Sequence, residues 1–340
     1  MKNPFAANTP SVFVVCSPFQ ILCAMAAIRQ LDIIDYKILV IISDDNARKN
    51  QVLNILEKSG LSYELDTCMS RYRFWFYAVR ALIPRRNKYH RLFIGDFRDV
   101  WEHFAGCGLV STGADIVYLD DGLGTVGLLN NKKVEVMKGK HLLFFKIISF
   151  IRNFEFFKNL LTIYDRISNH KYIIEPLSLE LVVNKDKKDK TLLKDVFIVG
   201  TNIESFCPFL EIPENSFVKK LGVIMNDIHN QYPHERVVYI PHGREKKEYA
   251  EILCQQYNCF FHRPEMMIEL ELLNLSYIPK VIYGFTSAAL YTLKKLFPST
   301  RVVNILFNLR DGNPYYEVYK VSSEYYLQNG IELRKEDIDL

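Results

Sequence analysis

Cysteine is present but unorganised. Seven cysteines among 340 residues form no CxxC pair and keep no regular spacing. An odd, scattered set argues against a disulfide framework or a zinc site and fits buried thiols in a reducing compartment. An excess of one charge is also missing. The net charge of +4 is too small to indicate a nucleic-acid partner. No run approaches about 18 uninterrupted apolar residues, so no spanning helix is expected. The opening "MKNPFAANTPSVFVVCSPF" lacks the long apolar region and small-residue cleavage site of a secretory signal, and the expected location is cytoplasmic. Internal repeats and low-complexity tracts are absent as well.

What remains is a globular composition. Hydrophobic residues make up 49% and charged residues 24%, over a length that suits two domains. Tyrosine (20) and phenylalanine (23) are abundant, and core packing is the expected use of most of them, with sugar-facing surfaces as a second use.

The hydrophobic pattern alternates between continuous apolar runs and amphipathic stretches. "SVFVVCS" (11–17) reads as a buried strand, followed by a helix that opens at Pro18, where the missing N–H does no harm. "YKILVIIS", "HRLFIGDF" and "ADIVYLDD" repeat the strand-then-polar-turn arrangement. Such strands, interleaved with helices, predict a parallel sheet covered on both faces. The charge run 184–190, "NKDKKDK", reads as a linker. After it the alternation restarts with "DVFIVGT", "RVVYIPHG", "KVIYGFTS" and "RVVNIL". The expectation is an α/β protein of two Rossmann-like βαβ domains, 1–190 and 191–340, facing a central cleft. Residues 133–172 differ, being aromatic and basic with little acid. They read as an amphipathic helix or helix pair packed on the first sheet, or else as a surface for an anionic membrane.

The polar residues collect where strands end. Ser17 and Gln20 follow the first strand; Asp120, Asp121 and Gly122 follow "IVYL". In the second half, Thr201, Asn202 and Glu204 follow "VFIVG", and His242, Gly243, Arg244 and Glu245 follow "RVVYIP". Gly284, Thr286 and Ser287 follow "VIY". Ligands of open α/β sheets bind outside the carboxyl ends of the strands. A carboxylate there can take a proton from an attacking hydroxyl. His242 and Arg244 suit a phosphate, and Thr286 and Ser287 open a helix whose free N–H groups suit an anionic oxygen. Each turn has a bland reading too: Asp-Asp-Gly is a common turn, Glu245 a helix-start residue, and Thr-Ser an ordinary N-cap. No histidine or third carboxylate accompanies Asp120 and Asp121 locally, so no metal is expected there.

In combination, "DDG" (120–122), "YIPHGRE" (239–245), "YGFTSAALYTLKKLFP" (283–298) and "VFVVCSPFQILCAMAAI" (12–28) resemble the bacterial sialyltransferases of glycosyltransferase family 52 and the related bacterial polysialyltransferases. The segment "FIVGTNIES" (197–205) falls where that family has a Gln-Pro-Leu segment. The resemblance runs from about Val12 to Ile305. Gly243 stands where the family has proline, and Thr286 precedes Ser287 where the family has two serines. The resemblance implies a GT-B fold and inverting transfer of sialic acid from CMP-sialic acid to a hydroxyl of a surface glycan, lipooligosaccharide or capsule. It implies Asp121 as general base, with Glu204 as the alternative, and His242 as the group assisting departure of CMP. Thr286 and Ser287 would hold the phosphate, and no metal or other cofactor would be needed. Other nucleotide sugars (a UDP- or GDP-hexose, CMP-Kdo) and a non-catalytic binding subunit stay open as alternatives. The expected partners are a nucleotide sugar and a saccharide acceptor, with no nucleic acid; membrane contact and a homodimer are further expectations.

Overall fold

The computed structural model describes residues 3–42, 46–67, 69–130, 140–164, 169, 171–182, 192–243, 245, 247–309, 313 and 316–337. The chain forms two compact units, Met1–Val183 and Asn184–Leu340, so the division falls at the first residue of the charge run. The linker expected at 184–190 lies outside the described residues, as does Arg244.

Unit 1 contains strands β1 (Ser11–Val15), β2 (Tyr36–Ile41), β3 (Tyr63–Asp66), β4 (Arg91–Ile94), β5 (Asp115–Tyr118), β6 (Asn159–Thr162) and β7 (Ile173–Pro176). They lie in the order β3-β2-β1-β4-β5-β6-β7, with every pairing parallel. Helices α1 (Pro18–Gln30), α2 (Asn46–Ser59), α3 (Arg71–Leu82), α4 (Val100–Cys107), α5 (Leu123–Leu129) and α6 (Lys140–Arg152) fill the crossovers. β1 and β4 are buried along their whole length, as strands covered on both faces must be.

β4 begins with a fully buried arginine. Arg91 donates to Ser11 Oγ and to the carbonyls of Pro4, Ala6 and Thr9, pinning the amino-terminal segment under the sheet. Burial pulls its guanidinium down to about 10, and the hydrogen bonds compensate for the desolvated charge.

Of the helix or helix pair expected within 133–172, one helix is present, with Phe145 and Ile148 in the core of unit 1. Among its described residues, 140–152 are helical, as α6, and 159–162 form a strand; with 173–176, just beyond the segment, they widen the sheet. "NLLT" is four buried residues between polar turns, a length at which a buried strand and a helical turn share one pattern.

Unit 2 repeats the plan. Its strands are β8 (Leu193–Val199), β9 (Val237–Ile240), β10 (Phe260–Phe261), β11 (Ile278–Gly284), β12 (Arg301–Phe307) and β13 (Glu332–Glu336). Their order, β10-β9-β8-β11-β12-β13, matches the first six strands of unit 1, again all parallel. Its helices are α7 (Ile203–Leu210), α8 (Glu214–Gln231), α9 (Lys247–Gln256), α10 (Ile268–Asn274), α11 (Ala288–Leu296) and α12 (Tyr316–Gln328). The edge strand β13 reads Glu-Leu-Arg-Lys-Glu, and its charges discourage pairing with another chain. In both units the strand order reverses beside the first strand, between β1 and β4 and between β8 and β11. A doubly wound sheet opens a crevice at that point.

Candidate active-site residues

In unit 1 the crevice is lined by the turns after β1, β4 and β5. Ser17 caps α1 by accepting from the Gln20 backbone N–H. Gln20 is fully buried. Its Oε1 accepts from the Cys16 N–H at 2.6 Å, and its Nε2 donates to Asp121 Oδ1 at 2.9 Å. Gly95 makes room for this arrangement, because a Cβ there would collide with the Gln20 amide. The amide is therefore a support for Asp121 rather than a free surface for substrate.

Asp120 and Asp121 are adjacent yet play different parts. Asp120 is fully buried, accepting from Thr162 Oγ1 at 2.7 Å and from the Ile163 N–H at 2.6 Å. It was expected to touch substrate; instead it fastens the end of β5 to the end of β6. Alternation at a strand end sends neighbouring side chains opposite ways, and Asp121 is the one that reaches the crevice. Gly122 then turns the chain into α5 at φ +75°, a conformation that disfavours any side chain.

Asp121 is not alone. Arg98 binds its Oδ2 and also grips Asp96, with Nε to Oδ1 at 2.9 Å and NH2 to Oδ2 at 3.1 Å. Burial, followed by the Asp96 carboxylate, pushes Asp121 up to about 7, against the pull of Arg98 and Gln20. A carboxylate with that affinity for protons can exchange one near neutral pH. Gly124 packs against the Arg98 guanidinium. Asp96 and Arg98 were absent from the sequence-derived set. Their signal was legible: "FIGDFRD" is a polar turn after a continuous apolar strand, in the topological position used to select the other turns.

Beneath this layer, Asp99 caps α4 by accepting from the Trp101 and Glu102 N–H groups, and the buried Glu102 accepts from the Asp96 N–H at 2.8 Å. Burial holds the Glu102 carboxyl well above the usual range. Cys16, Asp99 and Glu102 bring one ligand atom each within 4.8 Å of one another, the one metal-sized cluster among the described residues. Asp99 Oδ1 and Glu102 Oε2 each receive a backbone N–H.

In unit 2, Thr201 and Asn202 follow β8 half-buried. Asn202 occupies the N-cap of α7 and donates from Nδ2 to Ser205 Oγ at 2.7 Å. Glu204 is exposed in the first turn of that helix, where the sequence reading had only a turn. His242 is exposed after β9, followed by a half-buried Gly243.

Glu245 differs from expectation. It is buried beneath this turn, accepting from Tyr239 Oη at 2.7 Å and from the His242 N–H at 3.0 Å. Gly200 leaves space for that carboxyl. Burial pushes Glu245 up to about 7. Arg263 donates to the Glu245 carbonyl at 2.8 Å, so the turn that carries His242 is braced from below.

The turn after β11 is built differently. Gly284 is buried against Leu290. Thr286 takes the left-handed conformation at φ +42°, uncommon for a β-branched residue. Its N–H donates to Asn304 Oδ1 at 2.6 Å and its Oγ1 approaches the same atom at 3.3 Å. Ser287 caps α11, accepting from the Ala289 N–H, and its carbonyl accepts from Tyr326 Oη at 2.7 Å. Asn304 and Tyr326 were missed. A lone asparagine inside "RVVNILF" was the available sign; nothing local marks Tyr326.

Neither a protein-family model nor a curated protein matches this chain. Solved structures do. A UDP-N-acetylglucosamine 2-epimerase superposes with a TM-score of 0.52 at 10% identity, over 98% of this chain and 85% of its own. A putative UDP-N-acetylglucosamine 2-epimerase from Listeria monocytogenes gives 0.50 at 8%, over 95% and 88%. The GT-B domain of a Photobacterium damselae sialyltransferase gives 0.47 at 12%, over 96% and 99%. The first two likenesses, at such low identity, establish the fold: α/β, two Rossmann-like domains of the GT-B type.

Proposed function

We propose that this protein is an inverting glycosyltransferase acting on a nucleotide sugar, and that its donor is CMP-sialic acid. The observation that carries the proposal is Asp121: a carboxylate at the switch point of unit 1, fixed by Gln20 and Arg98, with its pKa pushed up to about 7. A general base works best when its pKa lies near the operating pH.

In this reading Asp121 takes the proton of an acceptor hydroxyl as that oxygen bonds to the anomeric carbon of the donor sugar. The bond from that carbon to the phosphate oxygen breaks, and its electron pair leaves with CMP. Within unit 2, the residues whose chemistry suits a leaving phosphate are Ser287 and Thr286 at the start of α11, and the exposed imidazole of His242. Oriented N–H groups and hydroxyls suit a monophosphate without a metal ion. The acceptor is a saccharide hydroxyl on a bacterial surface glycan, by the resemblance of the "DDG", "PHGRE" and "FTSAA" turns.

The test is a donor screen. The full chain is incubated with a mixture of CMP-, UDP- and GDP-sugars and a galactose-ending acceptor, and products are identified by mass spectrometry. The expected product is the sialylated acceptor. A hexosylated product would replace the donor assignment and keep the transferase. An epimerised nucleotide sugar without transfer would overturn the transferase reading.

A further inference from the structure

Two helices of unit 1 carry apolar residues on the side where a surface helix carries polar ones. The inward face of α3 is made by Phe74, Tyr77, Ala78 and Ala81. Its outward face is Tyr72, Trp75, Phe76 and Val79, continued by Ile83, a spacing of three, one, three and four that forms a second stripe. Tyr72 is 89% exposed and Trp75 52%. α6 repeats the arrangement. Phe145 and Ile148 enter the core, while Leu143, Ile147, Phe150 and Ile151 face outward, Phe150 at 90% exposure. The two helices pack together, with the Phe74 ring edge-on to His141.

The charge around these stripes has one sign. From Thr67 to Gly95 the sequence has seven Lys and Arg and no Asp or Glu; from Val136 to Phe154 it has four and none. Some of these cations are structural: Arg91 and Arg152 are buried, and Arg73 pairs with Asp66. Arg71, Arg86 and Lys146 are exposed on or beside the apolar stripes.

We infer that the paired outward faces of α3 and α6 form a docking surface for an anionic lipid bilayer. Aromatic rings seat at the level of the headgroups, and the flanking guanidinium and ammonium groups meet lipid phosphates. A second copy of the chain fits less well. In a two-fold pairing the patch would meet itself and bring like charges together. The surface is independent of which donor the enzyme uses, and α3 lies outside the aromatic block that the sequence alone marked.

The protein carries its own reporter. Its two tryptophans are Trp75, in the stripe, and Trp101, which packs against Phe74. In the full-length Trp101→Phe variant, Trp75 fluorescence should shift to the blue on phosphatidylglycerol–phosphatidylcholine vesicles and the protein should sediment with them. It should stay in solution with phosphatidylcholine alone. Binding should fall sharply between about 0.1 M and about 1 M salt, as the Debye length shrinks from ~10 Å to ~3 Å. A Trp75→Glu/Phe150→Glu variant, followed by sedimentation, should lose at least roughly tenfold in vesicle affinity, given the apolar surface each side chain offers. Both side chains are at least half exposed, so circular dichroism should match the parent. Absence of binding to anionic vesicles at low salt overturns the inference. So does equal binding to neutral vesicles, an undiminished affinity in the double variant, or a dimer in light scattering that already buries Trp75.

Discussion

The turn after β4 and the turn after β11 occupy the same place in two sheets of the same topology, and their electrostatics are opposed. In each, the chain leaves the fourth strand of its unit through a glycine, makes a short turn and starts a helix. α4 starts with Asp99 as cap and the buried Glu102 in its first turn. α11 starts with Ser287 as cap and has no acid in its first turn. A helix start attracts anions through its free N–H groups. In α4 those groups are taken by the protein's own carboxylates, and the turn goes on to hold Asp96, Arg98 and Asp121. In α11 they are served by a neutral hydroxyl, and its first turn carries no acid. The two sheets supply equivalent strand ends, and under the proposed function the cap residue separates the turn assigned to the base from the turn assigned to the phosphate.

The largest effect should come from the unit 1 side. Asp121→Asn keeps the hydrogen-bonding shape and removes the proton acceptor. Transfer should fall by about 10²–10⁴-fold with unchanged thermal stability within a few degrees. Because the Asp121 pKa is raised to about 7, kcat/KM of the parent should climb with pH through that region as the carboxylate ionises. The groups around it, Asp96, Arg98 and Gln20, together with burial, set the position of that limb. In Asp121→Asn the limb should vanish from the residual rate. A residual profile that keeps the limb would assign the base elsewhere, with Glu204 next in line.

A smaller effect tests the other half of the comparison by giving α11 the cap of α4. Ser287→Asp keeps a good N-cap, so the helix and the thermal midpoint should hold. The new carboxylate occupies the place assigned to the phosphate. CMP affinity, measured by titration calorimetry, should drop roughly 10- to 100-fold, in line with placing one like charge in contact with a bound anion. Unchanged affinity would remove the α11 start from the nucleotide site.

The α/β class and the strand-end turns were legible in the sequence for a definite reason. Strands buried on both faces leave continuous apolar runs, and the chain must become polar where each run ends. The same logic also pointed at Asp121. What it could not supply was direction and partnership. Asp120 and Asp121 are identical as letters, and only the pleat at the end of β5 turns one inward and the other outward. Glu245 looked like a helix-start acid and is in fact a buried brace for its own turn, a role set by Tyr239 on the preceding strand. Gln20 meets Asp121 across about a hundred residues, and Asn304 meets Thr286 from the neighbouring strand; neither pairing has a local pattern. The four-residue strands β6 and β7 were hidden because so short a run carries no period that separates strand from helix.

The smallest expected effect concerns stability, and it follows from which carboxyls each unit buries. Burial raises Asp120 to about 6 and Asp121 to about 7 in unit 1, and Glu245 to about 7 in unit 2; it also holds Glu102 of unit 1 well above the usual carboxyl range and raises Glu269 of unit 2. Each of these groups holds its proton more tightly folded than unfolded, where a carboxyl titrates near ~4. Between about pH 4 and pH 7 these carboxyls bind more protons in the folded state, so their contribution to stability falls as pH rises; the buried His103, pulled down to about 4, works the other way over the lower part of that window, and the carboxyls outnumber it. The thermal midpoint should be higher near pH 5.5 than near pH 8, the reverse of a protein held by salt-bridged acids. Each ~1 kcal/mol lost corresponds to about 2–4 °C for a domain of this size. Unit 1 contains three of these five raised groups and unit 2 the other two, so the melting of both units should respond. Asp120→Asn should flatten part of the unit 1 slope, because the amide can keep the hydrogen bond from the Ile163 N–H without a proton to lose. A midpoint that rises from pH 5.5 to pH 8 would mean that these carboxyls are ionised in the folded state, and Asp121 would then lose its claim to a pKa suited to base catalysis near neutrality.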